Sequence, residues 1–215
     1  MKKPIKKIPI RDQIYQTIKD GIMEGKYKSG SRLSIASLSK ELHVSNSPVR
    51  EAISMLNRDG LVDIYPNSGP SVIKFSEKRL ANIAQAILSM LLGAFEICQQ
   101  INKVDELIGI LQTALKEQID HLEADSLQEY VKYSISFERA FVSCCGNPYM
   151  IKQYSEMEDL LYLTVLYNHW YIDKGRKHTI LEHQQILGAI IEGDFTSARD
   201  LLSRHYNRFQ LANKD

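Results

Sequence analysis

The stretch VSNSPVREAISMLNRDGLV, Val44 to Val62, sets three short polar residues at the head of an amphipathic run. Ser45 or Asn46 suits a helix N-cap, because a short side-chain oxygen can accept from the free N–H groups of the first turn. Pro48 fits that turn, where a missing N–H costs little. Ala52, Ile53, Leu56 and Leu61 form an apolar side, and Arg50 stands one turn in from the polar head. The spacing predicts a helix that buries one face and presents its N-terminus. Alone, a Ser-Asn-Ser cap implies no more than a helix satisfying its own backbone, so the neighbouring segments decide its meaning.

Upstream, Ile10, Ile14, Ile18 and Ile22 recur at helical spacing, and Gly25 closes that run. The segment EGKYKSGSRL is turn-rich, and Ser34 is a fair N-cap for a second helix, IASLSKELH. Val44-Ser45 makes a tight break before the third helix. After Gly60, LVDIY alternates, PNSG is a turn and PSVIKF is β-rich, which predicts a short hairpin. Helix, helix, turn, helix and hairpin in that order make a winged helix-turn-helix.

Charge agrees with that reading. The chain has 215 residues and a formal net charge of +1. Residues 1–76 hold thirteen cations against seven anions, a net +6, which leaves −5 for the remainder. A basic first third suits a polyanionic partner. A helix lying in the major groove offers mainly its N-terminal residues to base edges. Asn46 can pair in bidentate fashion with adenine, and Arg50 can reach guanine or a phosphate. The wing tip, Asn67-Ser68-Gly69, is short enough to enter a neighbouring groove.

From Ser76 onward the chain is a series of long amphipathic segments, with helices expected near 77–101, 103–123, 126–145, 148–171, 177–192 and 195–212. The fold class is therefore mainly α: a winged helix-turn-helix over 1–75 and an all-helical bundle over 76–215. The basic N-terminus lacks the apolar core of a secretion signal. The apolar run near Ile87 to Phe95 is too short to span a bilayer. Cys98, Cys144 and Cys145 are odd in number and lack CxxC spacing, as expected for buried, reduced thiols in the cytoplasm.

The segment IYQTIKDGIMEGKYKSGSRL, followed by SLSKELHVSNSPVREAISMLNRDGLV and the wing SG, resembles the DNA-binding domain of GntR-family bacterial transcription regulators. The likeness covers about residues 10–74. It rests on the PVREA-x-x-x-L-x-x-x-GLV core, the upstream G-x-RL and the wing glycine. It implies that Arg32, Ser34, Ser45, Asn46, Ser47, Arg50 and Gly69 touch DNA. The family often carries arginine where Asn46 stands and near Ala36, so an altered operator is implied, richer in A·T at the Asn46 contact.

Residues 77–212 resemble the FCD ligand-binding domain of the FadR-type subgroup, through SISFERAFVSCCGNPYM and LEHQQILGAIIEGDFTSARDLLSRHY. The resemblance implies an effector-responsive homodimer, a small carboxylate effector and a divalent metal in the bundle core. The usual ligands are an Asp and a His four apart on one helix, plus two later histidines. Here the later pair is His183 and His205, while Ser134 and Glu138 occupy the earlier positions. Glu138, His183 and His205 would suit zinc or another first-row metal. Ser134, a poor ligand, would join those three in the effector pocket. The other reading keeps them as polar pocket groups, with Glu138 paired to a histidine and no metal.

Tyr130, Tyr133, His169 and Trp170 read as core or pocket lining, and Arg139 as a surface residue. Two other functions stay open at this point. One is a metal-dependent hydrolase using Glu138 as base, although no nucleophile triad, P-loop or dinucleotide fingerprint is present. The other is an architectural DNA binder without an effector.

Overall fold

A computed structural model of the chain describes residues 8–66, 68–171 and 175–207, with residues 168–171 described by backbone alone. The chain divides into two compact units, Met1–Phe75 and Ser76–Asp215.

In the first unit, α1 (Ile10–Met23), α2 (Ile35–Glu41) and α3 (Asn46–Arg58) precede an antiparallel hairpin of β1 (Val62–Tyr65) and β2 (Gly69–Val72). Ile14, Ile18 and Ile22 of α1 are buried with Val49, Ala52, Ile53 and Leu56 of α3. Ile10, expected on the same stripe, is 53% exposed. It is the first helical residue, one turn beyond the packed part of the stripe. Gly25 takes φ +79° just past the α1 C-cap, a conformation that glycine adopts without strain. The hairpin is clamped from outside its own strands. Leu33 N donates to Pro70 O and Val72 N to Ser31 O, so residues 31–33 run along β2 as a third edge.

The helix-turn-helix corner turns on a residue that carries no glycine-like signal. His43 has φ +53°. Ser39 Oγ donates to Val44 O at 2.9 Å, and Val44 N donates to Ser39 O, tying both sides of the corner.

The second unit comprises α4 (Glu77–Gln100), α5 (Val104–Asp120), α6 (Leu127–Ser134), α7 (Ser136–Cys145), α8 (Pro148–Tyr171), α9 (Arg176–Ile191) and α10 (Phe195–Asn207). The single helix expected over 126–145 is divided at Ile135 into α6 and α7. Ser136 Oγ donates to Tyr133 O at 2.6 Å, and such a side-chain bond to the preceding turn bends a helix. Helix starts are capped as the sequence suggests. Ser76 Oγ accepts from Arg79 N, and Ser126 Oγ from Glu129 N. Asn147 Oδ1 accepts from Tyr149 N and Met150 N.

α4 packs against α7, α8 and α10, while α5 packs against α7 and α9. Among the described residues, α4 alone has the length and hydropathy of a membrane span, longer than the short run noted in the sequence. Its apolar side is committed to the bundle, with Leu80, Ile87, Leu91, Phe95 and Cys98 buried. Cys98, Cys144 and Cys145 are free thiols, all buried. Asn67, the last residues expected in the final helix, and the side chains of His169 and Trp170 lie outside the described residues.

Candidate functional sites

Ser45 is the N-cap of α3, with ψ +165°, yet its side chain makes no capping hydrogen bond. Asn46 opens the helix, and Ser45, Asn46, Ser47 and Arg50 are all exposed. None of the four spends its side chain on a hydrogen bond or ion pair within the described residues. The reading of a helix head that merely caps itself therefore does not fit. The burial of Val49, Ala52, Ile53 and Leu56 turns the opposite face inward and holds the polar head outward.

Arg32 sits on the wing rather than at the start of α2. Its backbone bridges to Ser71, and its guanidinium lies beside Gly69, whose φ is +74°. Ser34 is the α2 N-cap, and its Oγ accepts from Ser37 N at 3.2 Å.

In the helical unit, Glu138 of α7, His183 of α9 and His205 of α10 meet in the core. His183 falls on the buried stripe of α9 with Thr179, Ile180, Ile186, Leu187 and Ile190. His205 falls on that of α10 with Ala198, Leu202 and Tyr206. Glu138 is on the buried side of α7 with Phe141 and Cys145. Their ligand atoms all lie within 4.8 Å of one another. Glu138 Oε1 is 3.4 Å from His183 Nε2 and 3.6 Å from His205 Nε2. Side-chain exposure is 0% for His183, 6% for His205 and 7% for Glu138.

Each histidine is held from behind. His205 Nδ1 is 2.8 Å from Glu182 Oε2, and an ionised carboxylate can only accept, so Nδ1 carries the proton. His183 Nδ1 is 2.8 Å from Gln118 Oε1, and Phe137 stacks flat on the ring with centroids 4.2 Å apart. Both rings turn Nε2 towards the same carboxylate oxygen. Two nitrogen lone pairs facing a carboxylate repel it unless a cation, proton or metal, lies among them. Burial pushes the Glu138 carboxyl up, but the charges of and hydrogen bonds to His183 and His205 outweigh it and bring it down to about 2. Among the described residues, its second oxygen, Oε2, has no hydrogen-bond partner.

Ser134 is buried but is tied to Gln118, whose Nε2 donates to Ser134 Oγ at 3.1 Å. It thus belongs to the layer behind His183. Gln118 and Glu182 were not singled out from the sequence. Gln118 had a signal, as a polar residue on the Leu107, Leu111, Ala114, Leu115 stripe of α5. Tyr130 is fully buried. Arg139 is exposed and pairs with Glu158 at 2.6 Å. A surface groove of about 480 Å³ between α5 and α7 lies apart, for Glu138, His183 and His205 do not line it.

A helix-turn-helix with a wing and an outward polar helix head, joined in one chain to a helical bundle, is the architecture of a DNA-binding transcription regulator. Residues 10–72 match the bacterial regulatory proteins of the gntR family, and residues 91–208 match the FCD domain. The chain belongs to the FCD-containing regulators of the gntR family. It is 26% identical over 205 residues to the HTH-type transcriptional regulator YdhC of Bacillus subtilis, covering 94% of this chain and 90% of that one. Against the HTH-type transcriptional repressor GlaR of Escherichia coli it is 25% identical over 203 residues, covering 89% and 90%. A structure of a GntR regulator from Rhodococcus superposes with a TM-score of 0.70 at 17% identity, over 95% of this chain and 99% of that one. The family and these relatives are regulators, so the hydrolase reading of Glu138 falls.

Proposed function

We propose that this regulator is a cytoplasmic repressor that grips a near-palindromic operator as a homodimer and responds to a small carboxylate effector held in the helical unit. The observation that carries the sensing half is the convergence of Glu138, His183 and His205 on one buried point, with both Nε2 atoms turned inward. A pair of imidazoles with one carboxylate fits zinc or another first-row divalent ion, and the unpartnered Glu138 Oε2 leaves a further oxygen for it. When bound, the metal supplies positive charge and open positions for an effector carboxylate. Nearby, the Tyr154 hydroxyl is buried and has no hydrogen-bond partner among the described residues. Burial, with the Glu138 charge next in weight, raises its pKa well above the ordinary value, so it stays a donor suited to an acid's oxygen.

For DNA, Asn46, Ser47 and Arg50 read base edges or phosphates, Ser45 and Ser34 hold phosphates, and Arg32 with Gly69 enters the groove beside them. Support for repression comes from the likeness to a named repressor. An effector changes operator affinity only if it binds the DNA-competent and DNA-incompetent states unequally.

The test pairs metal analysis with operator binding. Protein purified without chelator or a nickel column should carry a first-row metal, and His183→Ala should lose both the metal and the effector response. A metal-free wild type with an unchanged response in His183→Ala would end this reading.

A further inference from the structure

The surface that α3 presents can read bases but is short of positive charge. Ser45, Asn46 and Ser47 are neutral, Arg50 stands beside them, and Glu51, one turn past Ser47 on the same exposed side, is an anion. Affinity for a duplex comes mainly from cations that neutralise phosphates. Residues 1–76 hold thirteen cations against seven anions, and Lys2, Lys3, Lys6 and Lys7 are four of the thirteen. Without them nine cations would face seven anions, and the surplus of +6 would fall to +2. Most of the basic balance of this unit therefore sits in seven residues that hold no acidic side chain.

The folded part sets where that lysine run begins. Arg11, in the first turn of α1, has Nη1 3.5 Å from Glu51 Oε2. The start of α1 thus lies against the exposed side of α3 that carries Ser47. Upstream of Arg11, Ile8 O accepts from Gln13 Nε2 at 2.9 Å, so the backbone is still tied to α1 at Ile8. Lys7 is the next residue. Arg11 also has Asp12 Oδ1 at 3.5 Å, so two carboxylates already answer its charge. The added positive charge at this edge is that of the lysines. Seven residues of extended chain reach about 25 Å, most of the ~34 Å of one duplex turn.

We propose that residues 1–7 are a lysine arm that binds the DNA phosphates flanking the bases read by α3. Given the reading of α3 as facing the duplex, the arm supplies sequence-independent affinity and the helix head supplies the choice of site.

Phosphate contacts do not depend on sequence, so a mixed-sequence duplex of about 40 base pairs serves as the probe. The full chain is titrated against it by fluorescence anisotropy at salt concentrations from about 50 to 200 mM. One variant changes Lys2, Lys3, Lys6 and Lys7 together to Gln. The slope of log K against log salt should become shallower by about 2–4, since each phosphate neutralised contributes about 0.9. A second variant removes the same charge elsewhere, by changing the exposed Lys116, Lys132, Lys152 and Lys177 of the helical unit to Gln. It should keep the wild-type slope.

An arm variant with the wild-type slope, or a helical-unit variant whose slope changes as far, would overturn the arm while leaving α3 as the reading head. A wild type that binds the duplex with no salt dependence would overturn the DNA-facing reading of α3 and the arm with it.

Discussion

His205 donates from Nδ1 to Glu182 Oε2 at 2.8 Å while its Nε2 faces the core. A carboxylate behind an imidazole fixes the ring's orientation and strengthens the opposite nitrogen as a ligand. Glu182 also reaches His178 Nε2 at 3.2 Å, one turn back on α9. Glu182→Ala should therefore weaken zinc binding by about 10–100-fold without emptying the core. Glu182→Gln, which keeps an acceptor oxygen, should lose less. A competition titration with a zinc chelator separates the two.

Acid should expose the same cluster through stability. In the folded chain Glu138 is held down to about 2, against an ordinary 4.5. A carboxyl depressed on folding stabilises the fold fully above its unfolded value and loses that contribution as pH falls towards the folded one. Metal-free protein should lose about 3 kcal/mol between pH 4.5 and 2 from this group. Glu138→Gln should lack that part of the slope in urea unfolding followed against pH, and an identical slope in both proteins would contradict the pairing.

The thiols should be silent in the native state. Burial, then the neighbouring Cys144, pushes Cys98 up to about 12, and burial raises Cys144 as well. The thiolate is the reactive form, so a chromogenic disulfide reagent at pH 8 should label Cys98 only after denaturant is added. Rapid native labelling would show that α4 and α7 open readily.

On DNA, Arg50→Ala should weaken specific binding by about 1–3 kcal/mol, and Asn46→Ala should relax discrimination at one base pair. Arg32→Ala, on the wing, should mainly lower the salt dependence. Gel-shift titrations at several salt concentrations distinguish these effects. No change for Arg50→Ala would remove it from the interface.

The DNA-binding unit was legible because its signals are local. The isoleucine spacing of α1, the Ser34 cap, the Ser45–Pro48 helix start and the wing glycine each act within a few residues. The exceptions are the His43 corner, where a side-chain bond from Ser39 replaces glycine, and exposed Ile10. The break at Ile135 was hidden because Ser136 bends the helix by a hydroxyl bond that leaves its apolar spacing intact. In the bundle, Glu138, His183 and His205 were legible only through the FCD resemblance, by their places in its ligand pattern. Their outer partners lie outside that pattern: Gln118 carries only the signal of a polar residue on the α5 stripe, and Gln118 and Glu182 gain their roles when α5, α9 and α10 pack together.

The most direct measurement is the metal content of untreated protein by mass spectrometry, beside that of Glu138→Ala and His183→Ala. The expected result is about one first-row divalent ion per chain in the wild type and little in either variant. A wild type that holds no metal, even after incubation with zinc, would contradict a metal centre at Glu138, His183 and His205.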